Sequence, residues 1–269
     1  MTSLFPRFRN LEARILALHC SASSPSQWDA YRPLLAGGCR LHAPALLGYE
    51  DGSSWPFGVG VSLRAEALQL LPLLATHGGP IDLVGHSYGG AVALQVAALW
   101  PERIRSVTVY EPVAFHLLRA DAASAALADE VRQLAAAMTA NVHANDPEAA
   151  AERFVDYWSG AGTWARLSAR RRPALARSMP KVCAEFGALF GAEPAYDALQ
   201  PTGPEVRVVV GTASPAPVHR VIELLRKRVP HASVQQVHGA GHMAPVSAPV
   251  ELAAALFAGQ AVAPLALAA

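Results

Sequence analysis

The sequence predicts an α/β protein: a mostly parallel central sheet with helices on both faces and an inserted helical cap. Three observations predict it. Short apolar runs alternate with amphipathic stretches toward both ends of the chain, and strands separated by helical segments imply parallel crossover units. One such run, Ile81 to Val84, breaks at Gly85-His86-Ser87-Tyr88-Gly89 and turns into an alanine-rich helical pattern reaching Leu99. From Ala114 to about Leu199 the texture changes to helical patterns with no convincing strand, which reads as an insertion over the sheet. The expected organisation is a core made of residues 1–112 and 200–269, with residues 113–199 as cap.

Taken in order, Arg14 to His19 is a short apolar run that reads as a buried strand. A small, polar segment, Cys20 to Gln27, turns the chain into a helix from Trp28 to about Leu35, which Gly37-Gly38 ends. Cys39 to Ala43 gives a second strand, and Pro44 to Phe57 reads as a loop. Leu63, Ala67, Leu70, Leu71 and Leu74 share one side of a helix over Ser62 to Leu74, stopped by Gly78-Gly79-Pro80. After the central motif, Pro101 to Ile104 makes a turn and Ser106 to Tyr110 another strand. Within the cap, helical patterns run over Leu117 to Thr139, from Pro147 through Trp158, and over Pro173 to Phe190. Val206 to Val210 resumes the sheet, Pro217 to Arg228 is a helix, and Ser233 to Val237 a last strand. A helix from Pro249 to Phe257 closes the pattern.

Composition narrows the class of partner. Hydrophobic residues make up 52% and charged residues 16% of the 269, so a substantial core can be buried. A formal net charge of +1 offers nothing to nucleic acid or an anionic membrane. The basic runs Arg170 to Arg172 and Arg226 to Arg228 read as solvated helix faces. Cys20, Cys39 and Cys183 have no metal-ligand spacing and read as unbridged thiols in a reducing compartment. Charges at Arg7 and Arg9 interrupt any secretion signal, and no apolar stretch reaches the roughly 18 to 20 residues of a membrane span. The expectation is a cytoplasmic monomer or homodimer whose partner is a small-molecule substrate.

Gly85, Ser87 and Gly89 spell G-x-S-x-G between a strand and a helix. In this turn the serine takes a strained backbone conformation, and a Cβ at either glycine position would crowd it. The strain presents the Ser87 hydroxyl clear of the sheet. It also aims the N-terminus of the following helix at the reaction centre, where its dipole favours developing negative charge.

Four stretches together resemble the α/β-hydrolase family: Leu18 to Trp28 (L-H-x-S-x-S-S-x-x-x-W), Gly85 to Gly90 (G-H-S-Y-G-G), Pro101 to Pro112 (P-E-R-I-R-S-V-T-V-Y-E-P) and Gly239 to Met243 (G-A-G-H-M). The resemblance spans nearly all of residues 11 to 257 and implies the α/β-hydrolase fold with a catalytic serine, histidine and acid. A serine hydroxyl needs an adjacent base to become a nucleophile. Of ten histidines, His242 fits best, late in the chain in a glycine-rich loop after the last strand. By the resemblance His86 is structural. His19 is expected to hold the loop after the first strand, and His238 to be surface or support.

The acid departs from the family's pattern. Relatives carry an aspartate three residues beyond a glycine after the penultimate strand; here the segment is Gly211-Thr212-Ala213-Ser214, with a serine in that place. Glu111, directly after the strand Ser106 to Tyr110, is the substitute, as in some dehalogenases of this fold. Asp197 and the Glu50/Asp51 pair are the competing carboxylates.

The resemblance assigns the oxyanion hole to the backbone N–H groups of Ser21 and Tyr88. Cys20, with no charged partner visible nearby, reads as a small packed residue. Trp158, Trp164 and Phe186 are the candidate substrate-pocket residues. No charged cluster suited to a phosphate or carboxylate handle is visible, which favours an apolar substrate. The function expected is hydrolysis of a small, mainly apolar carboxylic ester through an acyl-enzyme, with no cofactor or metal implied. The same machinery could serve a carbon–carbon bond hydrolase or a cofactor-free perhydrolase, and the fold also serves as a non-catalytic receptor.

Overall fold

The computed structural model describes residues 14–35, 39–49, 55–76 and 79–258. Gly37-Gly38, Glu50 and Asp51 lie outside the described residues.

Strand β1 (Arg14–Leu18) leads through a 3-10 segment (Pro25–Leu34) to β2 (Arg40–His42) and α1 (Leu63–Ala75). Then come β3 (Ile81–His86), α2 (Tyr88–Leu99) and β4 (Ile104–Tyr110). The strandless stretch folds as α3 (His116–Ala120), α4 (Ala125–His143), α5 (Pro147–Ser159), α6 (Thr163–Arg166) and α7 (Arg172–Gly191). The chain returns to the sheet with β5 (Glu205–Gly211), α8 (Ala216–Arg228), β6 (Ser233–Val237), α9 (Ala244–Ser247) and α10 (Pro249–Leu256).

Among the described residues the strands form one sheet in the order β2-β1-β3-β4-β5-β6, with every neighbouring pair parallel. Side chains alternate between its two faces, as the pleat requires. Leu16, Leu18, Leu83, Val107, Val109, Val206, Val208 and Val210 pack with α1, α2 and α8 on one face. Ile15, Ala17, Val84, Tyr110 and Val209 pack with Trp28, Tyr31 and α10 on the other. Because both faces are covered, the strands read in sequence as continuous apolar runs and not as alternating ones.

The order places β2 on one side of β1 and β3 on the other. The loops leaving β1 and β3 therefore diverge from neighbouring strands at the carboxyl end of the sheet, the crevice where open parallel sheets bind ligands.

Two expected elements differ. The segment expected as a helix from Trp28 is a 3-10 helix beginning at Pro25. Three residues per turn puts Trp28 and Tyr31 on one side, and both are fully buried against Phe257. The helix expected over Leu117 to Thr139 is broken at Asp121, whose backbone is extended (φ −114°, ψ 107°). Its carboxylate accepts from the Ser124 hydroxyl and from Arg220 of α8, so the break ties this block to the core.

Candidate active site

Ser87 follows β3 directly and has φ 54° and ψ −117°. Such a conformation costs of the order of 1–3 kcal/mol and survives only where its surroundings over-determine it. Its N–H donates to the Tyr110 carbonyl at 2.9 Å, and its own carbonyl accepts from Ala91 at 3.0 Å. A Cβ on Gly85 would lie 2.5 Å from the Gly89 carbonyl oxygen, and one on Gly89 would fall onto the carbonyl oxygens of Leu18 and His19. Both glycines are thus dictated by close backbone approach.

Glu111 repeats the device on the next strand. It follows β4 with φ 48°, and its N–H donates to the Val209 carbonyl at 3.0 Å. His242 comes from the loop between β6 and α9, and three side chains hold this loop and the start of α9 through backbone carbonyls. Tyr110 donates to Gly241 at 2.8 Å, Tyr31 to Pro245 at 2.9 Å, and His86 Nε2 to His242 itself at 2.8 Å.

The three residues form one hydrogen-bonded chain. His242 Nε2 is 2.9 Å from Ser87 Oγ, and Nδ1 is 2.7 Å from Glu111 Oε2. Glu111 Oε1 accepts from the Gly211 N–H at 2.7 Å and the Ser214 hydroxyl at 2.5 Å. Glu111 and His242 are buried, so their attraction is little screened by solvent. Asp197, the competing carboxylate within the described residues, is exposed on the turn Tyr196–Ala198, away from this chain.

The neighbouring histidines are neutral struts. His86 donates through Nε2, so its Nδ1 accepts, at 3.2 Å from Gln27 Nε2; the other end of that amide accepts from the Cys20 N–H at 3.0 Å. A continuous bridge thus runs from the carbonyl of His242 to the loop after β1. Burial holds the His86 pKa well below its ordinary value. His19 donates to the Cys20 carbonyl at 2.8 Å and accepts from the Leu46 N–H at 3.1 Å, and burial lowers its pKa to about 4. Burial pushes the Cys20 thiol up to about 12, so it supplies no thiolate. His238 is exposed.

Ser21 faces the same cleft as Ser87, between two anchored neighbours: Cys20 is held by Gln27, and the Ala22 N–H by the Tyr49 hydroxyl at 3.0 Å. Tyr88 is the first residue of α2, where a helix leaves its N–H groups unused. The cleft is lined further by Val113, Phe115, Phe154, Trp158, Val182, Glu185, Phe186 and Leu189, and encloses about 10 Å³, room for about one water. Trp158 lies against His242, ring centroids 4.1 Å apart.

With the geometry in place, the chain can be set beside known proteins. Residues 15–255 match the model of the alpha/beta hydrolase family. The chain belongs to that family. Lipase LipV of Mycobacterium tuberculosis is 32% identical over 149 residues, which cover 55% of this chain and 52% of that protein. The match thus spans about half the length of that relative. Among solved structures, this alpha/beta hydrolase resembles MGS-M2, an alpha/beta hydrolase enzyme from a Medee basin deep-sea metagenome library. The TM-score is 0.74 at 15% identity, covering 96% of this chain and 94% of that one. The enol-lactonase from Burkholderia xenovorans gives a TM-score of 0.69 at 15% identity, covering 94% and 92%.

One expectation about this hydrolase's pocket needs correction. Trp164 is not among the residues lining the cleft. Its backbone N–H is held by Asp156 at 2.7 Å and its ring faces the Arg172 guanidinium at 5.5 Å, which packs it between α5 and α7. Among the described residues no cluster suits a phosphate or carboxylate handle, but a buried ion cluster that the sequence did not announce reaches the cleft through Glu185. Lys181 and Glu185 of α7 and Glu66 of α1 are each at most 1% exposed. Lys181 Nζ donates to Glu66 at 2.9 Å and to Glu185 at 2.8 Å. The only sequence signal for this cluster was the i, i+4 spacing of Lys181 and Glu185 within an otherwise apolar helix face. Among the described residues there is no group of three or more His, Cys, Asp or Glu placed to hold a metal ion, and no helix long and apolar enough to cross a membrane.

Proposed function

We propose that this protein is a serine hydrolase that cleaves small, mainly apolar carboxylic esters through an acyl-enzyme. The observation that carries the reading is the unbroken hydrogen-bonded chain from Ser87 Oγ through both nitrogens of His242 to Glu111. His242 Nε2 takes the hydroxyl proton as Ser87 Oγ attacks the ester carbonyl. The N–H groups of Ser21 and Tyr88 hold the oxyanion, and Glu111 stabilises the imidazolium through Nδ1. The imidazolium returns its proton to the departing alcohol. Water then enters, His242 removes one of its protons, and attack on the acyl carbon releases the acid and restores Ser87.

The mainly apolar lining favours an apolar acyl or alcohol group, and a lipase among the relatives favours ester chemistry. Helices α3 to α7 act as a lid. A cleft with room for about one water accepts substrate only when α5 and α7 part from the core. The small molecule is the only partner this reading needs.

The test is Ser87→Ala assayed on p-nitrophenyl butanoate, with a fluorophosphonate label as second readout. Turnover drops by about 10⁴-fold or more and labelling disappears. Wild-type rates or labelling in the variant would overturn the mechanism, and a wild-type protein that neither labels nor turns over would be a binding module.

A further inference from the structure

Glu185 is 1% exposed, and its two oxygens are treated unequally. Oε1 accepts from Lys181 Nζ at 2.8 Å and from the Tyr49 hydroxyl at 2.9 Å. Oε2 is buried and receives no hydrogen bond from the described residues. The same side chain lines the cleft that holds Ser21 and Ser87. A buried acceptor left without a donor costs about 1–3 kcal/mol, more when charged, and so needs an explanation.

The surrounding cluster does not relieve it. Glu66 already accepts three donors: the Leu47 N–H at 3.0 Å, the Tyr88 hydroxyl at 3.0 Å and Lys181 at 2.9 Å. Lys181 bridges both carboxylates, so the two formal negative charges meet one positive charge. The cluster is short by one hydrogen-bond donor and, formally, by one positive charge, and the missing bond belongs to a side chain that lines the cleft. Most of the other lining side chains there are apolar, so one polar group in the substrate would find one polar place to go.

We infer that Glu185 Oε2 is a substrate subsite that selects esters carrying a hydroxyl or ammonium donor on an otherwise apolar skeleton. A hydroxyl completes the missing hydrogen bond. An ammonium completes the bond and balances the charge. The subsite rests on the serine-hydrolase reading and narrows its substrate class. Its place on α7 also makes substrate recognition part of closing the lid, because the donor must bridge Ser87 on the core and Glu185 on the moving helix.

The experiment compares esters in isosteric pairs. Butyl 3-hydroxybutanoate is set against butyl 3-methylbutanoate, 2-hydroxyethyl butanoate against propyl butanoate, and 2-(dimethylamino)ethyl butanoate against 3-methylbutyl butanoate. In the wild-type protein at least one donor-bearing ester is preferred by about tenfold or more in kcat/KM. The three pairs report whether the donor belongs to the acyl or the alcohol side, and whether it is neutral or cationic. In Glu185→Gln, the amide keeps an acceptor for Lys181 and Tyr49 and turns its NH₂ toward the cleft, so an ammonium ester loses its preference and its ratio falls to about one. A hydroxyl can still accept from the NH₂, so its ratio is read in Glu185→Asp. Glu185→Asp, which withdraws the carboxylate, lowers the ratio in the same direction and serves if the glutamine variant does not fold. Equal rates within every wild-type pair would overturn the subsite, as would a preference that survives both substitutions. Loss of turnover in Ser87→Ala alongside equal pairs would sink this inference alone; retained turnover in Ser87→Ala would sink the hydrolase reading beneath it.

Discussion

Ser214 donates its hydroxyl to Oε1 of Glu111 at 2.5 Å, leaving Oε2 to face His242 at 2.7 Å. The serine on β5's loop thus serves the carboxylate that β4 supplies. In the proposed mechanism Glu111 is the acid of the triad, so Glu111→Gln should lower kcat by about 10³–10⁴-fold, through loss of the correct imidazole tautomer and of imidazolium stabilisation. Ser214→Ala removes one hydrogen bond to a charged group and leaves the Gly211 N–H in place, so its cost should be about tenfold. The double variant Glu111→Gln/Ser214→Asp returns a carboxylate to β5's loop and should recover about tenfold or more over Glu111→Gln alone. Steady-state rates on p-nitrophenyl butanoate check all three. A larger loss in Ser214→Ala than in Glu111→Gln would remove Glu111 from its role.

The buried Lys181 links α7 to α1, and through Glu66 and Glu185 it reaches the hydroxyls of Tyr88 and Tyr49. Those tyrosines belong to, or anchor, the two segments assigned to the oxyanion hole. Removing the cation strands two carboxylates in the interior, a change that costs about 3–5 kcal/mol for a buried pair. Lys181→Met should therefore lower Tm by on the order of 10 °C for a chain of this size. Adding Glu66→Gln and Glu185→Gln to that variant, which removes the stranded charges, should return most of the loss. Thermal unfolding followed by circular dichroism decides. A Lys181→Met protein as stable as wild type would mean that neither Glu66 nor Glu185 is left as a buried charge once the cation is gone.

The parts of this site written as local pattern were legible, and those written as long-range contact were not. The turn at Ser87 announces itself because a strand, two obligatory glycines and a small-residue helix stand side by side in the chain. His242 is legible from its glycine-rich loop, and Glu111 only through the family resemblance, because Ser214 stands where relatives carry the aspartate, with Asp197 and Glu50/Asp51 left as competitors. Lys181 looked like any helical lysine, because its partner Glu66 and the neighbouring Tyr49 come from far upstream and nothing local marks their meeting. Trp164 shows the converse: residue type suggested a pocket, but which face of a short helix turns inward is set by packing. The 3-10 segment escaped for the same reason, since spacing three between Trp28 and Tyr31 also fits one face of an α-helix.

Acid stability follows from the buried imidazoles. Burial lowers His19 to about 4; burial, joined by Arg119 and Arg228, lowers His116 to about 4; and burial holds His86 well below its ordinary value. In the unfolded chain each takes a proton near pH 6.5. Between pH 6.5 and about 4 the unfolded state binds protons that the folded state refuses, so stability falls as pH falls across that window. Above pH 6.5 neither state is protonated and the contribution vanishes. For each histidine the slope is about 1.4 kcal/mol per pH unit inside the window. His116 offers a clean variant, because its Nε2 meets the Tyr196 hydroxyl at 3.1 Å on α3, away from Ser87, and a glutamine can meet the same hydroxyl. Urea unfolding at pH 7.5 and pH 5 should show wild type losing about 2 kcal/mol more than His116→Gln, the difference made by one proton taken up over roughly 1.5 pH units. Equal losses in the two proteins would mean that the folded state accommodates a protonated His116, and that burial does not hold it neutral.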